Sequence, residues 1–106
     1  MSKELVALVT CPQNKAEQLA STLVERKVAA CVNIIEKVIS VYRWEGNIEK
    51  DQESLLVAKT NTITWDDFEA SVKELHPYDV PEIISFDIEK GNSAYLEWLN
   101  NSLVRN

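Results

Sequence analysis

The sequence predicts an α+β fold, a ferredoxin-like sandwich with elements in the order βαββαβ, a further helix at the C-terminus and a long projecting hairpin between its second and third strands. Three observations carry this. Two amphipathic helical stretches each follow an apolar run, a glycine turn joins two long strand-like arms mid-chain, and a last apolar run precedes a third helical stripe.

"ELVALVT" is short, apolar and rich in Val and Leu, as a buried strand is. "CPQN" ends it. Asn14 is placed to cap the next helix, with Glu17 three residues on, a relative of the capping box. Ala16, Leu19, Ala20, Leu23 and Val24 then recur at helical spacing, with Glu17, Gln18, Glu25 and Arg26 mostly on the other side. "AACVNII" is a second apolar run, interrupted by Glu36 and Lys37 and resumed by "VISVYRW". "EGN" turns, and "IEKDQESLLVAKT" returns. Trp65, Phe68, Val72 and Leu75 mark a second helix, with Asp66, Asp67 and Glu69 in its first turn, where the helix dipole favours acids. It should stop at His76, because Pro77 disfavours helical geometry in the residue before it. "PEIISFDIE" is the fourth strand, and "GNS" opens a last helix striped by Tyr95, Trp98, Leu99 and Leu103. Trp65, Phe68 and Trp98 read as core residues.

The 106 residues fit one domain, 1–106, with enough chain for a real core. The net charge of −6 argues against a nucleic-acid surface, which needs clustered Lys and Arg. No apolar run approaches a membrane span, and Leu5 to Val9 is too short for a secretory signal, so the cytoplasm is the expected compartment. Cys11 and Cys31 are too few for a disulfide scaffold, and Cys31 lies in an apolar run where a buried thiol is expected.

The hairpin carries the argument about assembly. A two-residue loop Gly46-Asn47 would oppose Arg43 to Lys50. A three-residue loop Glu45-Gly46-Asn47 opposes Arg43 to Glu49 and sets Trp44 beside Ile48, which the charges favour. The arm from Ala30 to Trp44 would run about 50 Å at ~3.3 Å per residue, whereas a domain of this size is roughly 33 Å across. The arm must bend near Glu36-Lys37, project from the body, or both. A projecting two-stranded ribbon is marginal alone in water. Bearing Tyr42, Trp44 and Ile48, it needs a surface, and an identical copy is the simplest one. The alternative is a short hairpin curled back over its own core.

"VTCP", "ERKVAACVNI", "VYRWEGNIE", "LVAKT" and "HPYDVPEI" occur in this order, and together they resemble the CutA family, named for divalent-ion tolerance, over essentially the whole chain. The resemblance implies a ferredoxin-like fold in a tightly packed homotrimer, with long hairpins linking subunits. It also implies a likeness to the trimeric nitrogen-regulatory signal proteins, which bind small ligands between subunits. Divalent copper and cation tolerance are associated with the family, and no catalytic reaction is.

Two constellations could carry chemistry. In "LHPYDVPE" two prolines stiffen a segment presenting His76, Tyr78, Asp79 and Glu82. An imidazole with carboxylates suits a divalent transition metal, and Cys11, at the end of the first strand, could add a thiolate favouring copper or zinc. The candidate metal set is therefore His76, Cys11, Asp79 and Glu82; the plainer alternative is that His76 simply ends a helix. The second set is Tyr42, Trp44, Lys59, Tyr78 and Glu82, which could line a pocket between subunits for a small anionic ligand. There the plainer alternative is that the aromatics anchor the interface. With no Gly-rich loop, no GxSxG and one histidine, no catalytic residues are assigned. Three functions follow: a trimer that binds divalent metal and serves metal-ion homeostasis, a signalling module with a metabolite in the intersubunit cleft, or a trimeric scaffold for protein partners.

Overall fold

Strand β1 (Glu4–Cys11) alternates strictly between buried and half-buried side chains, the period-two pattern of a strand with unequal faces. In the computed structural model, which describes residues 2–105, β1 is central in a four-stranded sheet of order β2-β3-β1-β4. All three neighbouring pairs are antiparallel. The other strands are β2 (Cys31–Trp44), β3 (Asn47–Asn61) and β4 (Ile83–Asp87), and the helices are α1 (Ala16–Glu25), α2 (Trp65–Leu75) and α3 (Ser93–Asn101). This is the ferredoxin-like arrangement, with the additional C-terminal helix.

The main core lies between one sheet face and the helices α1 and α2. Ala7, Val9 and Cys11 of β1 and Leu56 and Ala58 of β3 meet Leu19 and Leu23 of α1 and Phe68 and Val72 of α2. On α1 the stripe holds except at Val24, which is exposed. The expected Asn14 cap does not form. Gln13–Lys15 make a 3-10 turn that runs directly into α1, so Asn14 is inside the turn and no side chain caps the helix.

Helix α3 goes to the opposite face. Asn100 Nδ2 donates to Glu4 Oε2 at 3.0 Å, and Asn61 Nδ2 donates to Asn100 Oδ1 at 2.9 Å. Glu4 and Asn61 pair across β1 and β3 on the face turned away from α1 and α2. Asn92 caps α3 by accepting from the Tyr95 N–H. Leu99 and Leu103 are buried against Ala30 and Ile88, but Tyr95 and Trp98 stand half-exposed. Trp98 is therefore not a core residue of the single chain: only part of the stripe reaches the sheet. The rest of this face is uncovered, with Ile35, Ile84 and Phe86 exposed.

The hairpin projects. The molecule measures 44 × 27 × 22 Å, and from Glu45 to Gln52 every residue is exposed. The bend forms where Glu36-Lys37 interrupt the apolar run: Ile35 pairs with Leu55, but Val38 pairs with Glu53, one residue out of step. The kink is held by its carbonyl. Ser54 Oγ and Gln13 Nε2 both donate to the Glu36 oxygen, at 2.6 and 3.0 Å.

The turn differs from the expected three-residue loop. Trp44 pairs with Asn47 and Arg43 with Ile48, leaving a two-residue loop, Glu45-Gly46, with φ of 48° and 82°. Two left-handed residues make the primed turn whose twist matches the strands, and that backbone demand outweighs the Arg43–Glu49 pairing that charge favoured.

Candidate functional site

The root of the ribbon meets the segment between α2 and β4. Helix α2 ends because His76, before Pro77, is extended (φ −80°, ψ 138°). That turn carries the imidazole under the end of β1. His76 Nδ1 accepts the Tyr78 N–H at 3.1 Å, and Nε2 lies 2.7 Å from the Thr10 carbonyl. A ring nitrogen that accepts has no hydrogen, so the hydrogen is on Nε2 and is donated to Thr10. Both nitrogens are engaged and the residue is buried. His76 ties helix end, loop and strand together.

The next two side chains build the polar centre. Tyr78 Oη donates to Glu53 Oε2 at 3.0 Å, and Tyr42 Oη donates to Asp51. Tyr42 pairs in the ladder with Glu49, and Asp51 and Glu53 follow at steps of two, so the three carboxylates share one ribbon face. Glu53 is buried although Tyr42 and Tyr78 are not.

Each phenol is held protonated. The Tyr42 hydroxyl is pushed up to about 12, first by its bond to Asp51, then by desolvation and the charges of Asp51, Glu49 and Glu53. Desolvation leads for Tyr78, also raised to about 12, followed by the bond to Glu53. Tyr95, the third tyrosine, is raised to about 12 through its contact with Cys31 Sγ at 3.5 Å. Cys31 is thus half-buried beneath α3 rather than enclosed in the main core. A folded-state pKa above the unfolded value near 10 stabilises the fold fully below pH 10, and that contribution is lost as pH rises through 12. Ultraviolet titration should therefore find no tyrosine ionising at the ordinary midpoint while the protein is folded, with unfolding setting in between pH 10 and 12. Asp51→Asn should return one phenol toward 10; an unchanged curve for that variant would remove the Tyr42–Asp51 pair.

The metal set is not assembled within one chain. Cys11 is buried in the main core, and burial, then Glu53, push its thiol up to about 11, away from the thiolate a metal needs. His76 has no free nitrogen. Asp79 and Glu82 are exposed. Among the described residues no three His, Cys, Asp or Glu side chains are placed to hold one ion.

The second set is split as well. Tyr42 lies two residues from Trp44 near the ribbon tip, with its hydroxyl turned back to Asp51, whereas Tyr78 meets Glu53 nearer the root and Glu82 precedes β4. Lys59 lies six residues along β3 from Glu53, about 20 Å at the usual strand rise, where its ammonium donates to Asn33 Oδ1. Sequence reasoning missed Asp51 and Glu53. Their step of two from Glu49 was visible, but which face it marked depended on the register. A depression of about 480 Å3, bounded by Glu17, Ala20, Val24 and Ile34 between α1 and the edge strand β2, is lined by no residue of either set.

Comparison with known proteins covers nearly the whole chain. The family model described as "CutA1 divalent ion tolerance protein" matches residues 5–102. The "Divalent-cation tolerance protein CutA" of Thermus thermophilus is 46% identical over 93% of this chain and 97% of its own length. The chain spans less of other relatives, 64% of a Xenopus laevis protein and 52% of a human one. Among solved structures, CutA1 from Oryza sativa superposes with a TM-score of 0.94 at 43% identity, covering 98% of this chain and 96% of that one. A CutA from Archaeoglobus fulgidus, described as periplasmic, gives 0.91 at 33% identity, covering 95% and 99%. No helix among the described residues is long and apolar enough to cross a membrane.

Proposed function

Because the chain belongs to the CutA1 divalent ion tolerance family, we propose that it is a non-catalytic homotrimer that binds divalent cations, copper among them, and serves metal-ion homeostasis, with residues 1–106 as one cytoplasmic domain. One observation carries the assembly. The ribbon exposes Ile39, Val41, Trp44 and Ile48, each more than half accessible (58–65%), on an element too thin to bury them itself. Cell fractionation decides between the cytoplasm and the periplasm.

With His76 and Cys11 committed to structure, metal contact falls to Asp79 and Glu82. They are exposed on a proline-stiffened loop beside the ribbon root, where a neighbouring copy would supply further oxygen or nitrogen donors. Copper calorimetry on the wild type and on Asp79→Asn/Glu82→Gln tests this. The double variant should bind at least about tenfold more weakly. Equal affinity, or no heat from the wild type, would end the proposal.

A second proposal, a signalling module for a small anionic metabolite, is favoured by Lys59. Half-buried on the sheet face turned away from α1 and α2, it has only neutral Asn33 as partner, with no carboxylate in ion-pair range among the described residues. A stabiliser found by thermal shift among nucleotides and organic acids, and lost with Lys59→Met, would support it; a blank panel would count against it.

A further inference from the structure

Helix α1 carries a second stripe beside the one that faces the core. Glu17, Ser21 and Val24, at steps of four and three, look out over the half-buried Val32 and Ile34 of β2. Val24 is exposed because it belongs to this stripe. The depression of about 480 Å3 between them is continued by one of about 360 Å3, which shares Glu17 and Ile34 and runs on to Asn14 and Glu36. Together they make one groove along the sheet edge. The helix rises about 12 Å from Glu17 to Glu25 and the strand about 13 Å from Val32 to Glu36, so the two walls match in length. Glu17, Glu25 and Glu36 line the groove, and no lysine or arginine does. Among the described residues none of the three has a cation within ion-pair distance. The strand wall is an open edge: β2 is outermost in the sheet, and Cys31–Ile35 pair only with β3. Among the described residues, side chains bond the β2 backbone only at Glu36, where Ser54 and Gln13 close the groove.

We propose that this groove takes an extended segment of a partner protein as a further strand beside β2, with lysine or arginine at both ends of the segment and a short aliphatic residue between them. An unpaired edge offers main-chain hydrogen bonds to an added strand, and the alternate side chains of that strand fall into the groove. Residues i, i+2 and i+4 of such a strand span about 13 Å, the length available. The middle one meets Ala20, Val24 and Ile34, and the small Ala20 and Ser21 leave room for an aliphatic side chain beneath the helix. The outer two reach Glu25 at one end and Glu36 at the other, with Glu17 between. Charge selects a foreign basic segment over a second copy. This chain carries a net −6, and an acidic occupant would set like charge against three unpaired carboxylates. No residue beyond the bulge takes part, so the groove works independently of the ribbon.

Fluorescence anisotropy with the full chain tests this on labelled peptides centred on Lys-Thr-Val-Thr-Lys, on the same sequence with its backbone nitrogens methylated, and on Glu-Thr-Val-Thr-Glu. The lysine peptide should bind, more weakly as salt rises, and the acidic peptide should not. Glu17→Gln/Glu25→Gln should weaken the lysine peptide at least about tenfold; both side chains are exposed, so the fold is kept. Methylation removes the main-chain donors and should abolish binding to the wild type, a result that needs no variant. No binding of the lysine peptide up to about 1 mM would overturn the proposal. Equal binding by the double variant would remove the role of the carboxylates, and equal binding of the methylated peptide would remove the added strand; either overturns it. Val24→Lys, on the exposed rim, should weaken the peptide and leave the sedimentation coefficient unchanged. A fall in that coefficient would give the groove to a second copy and overturn the proposal.

Discussion

Replacing Phe68 by alanine is expected to cost about 3–5 kcal/mol, the usual range for emptying a buried aromatic site. Phe68 is completely inaccessible and lies in the main core between α2 and the sheet. Its ring stacks on Trp65 with centroids 5.5 Å apart and planes 16° from parallel. The neighbours are strands and a helix fixed by their own hydrogen bonds, so they cannot close over the space left, and the cost includes the cavity as well as the lost transfer energy. Since a domain of this size has about 5–15 kcal/mol in all, urea unfolding should show a large shift in midpoint with little change in slope. A loss below about 1.5 kcal/mol would mean that the site collapses and that the packing is looser than the burial indicates.

His76→Ala should be the second large effect, for a different reason. Two backbone groups, the Thr10 carbonyl and the Tyr78 N–H, lose their partner at a buried position. Each costs about 1–3 kcal/mol if water cannot replace the imidazole, so the two together give a loss of about 2–6 kcal/mol. The same variant separates structure from metal chemistry. With His76 as a strut, copper affinity stays within about threefold of wild type while stability falls. Lost copper binding with stability intact would make the imidazole a ligand and displace Asp79 and Glu82 from that role.

The fold was legible where side-chain periodicity decides it. The short Val- and Leu-rich run found β1, the Phe68–Val72 stripe found α2, and Pro77 ended α2 at the expected residue. Even the bulge was marked, by charges breaking an apolar run. Its necessity is arithmetical: Ile35 with Leu55 at the root and Trp44 with Asn47 at the tip cannot belong to one continuous ladder, so β2 must hold one residue more. The turn was not legible because its determinant, a left-handed Glu45, is uncommon for that residue and no local pattern announces it. Asn14 was misjudged because Pro12 leads into a 3-10 turn instead. The sites were harder. His76, Cys11, Asp79 and Glu82 do not place three side chains around one ion among the described residues, and Lys59 and Trp44 lie toward opposite ends of one strand pair. What the sequence concealed, the acids beside Tyr42 and Tyr78, became visible only once the register assigned each residue a face.

The Glu36 carbonyl has a mechanical consequence. A beam fixed at one end sways by an amount set at its root, and here Gln13 and Ser54 grip that root from the body of the molecule. The ribbon is therefore clamped rather than hinged. Proteases offered the lone chain should clip the outer tip and spare the base, and a partner meets an arm already held at its angle of approach, with little swinging freedom left to surrender on contact.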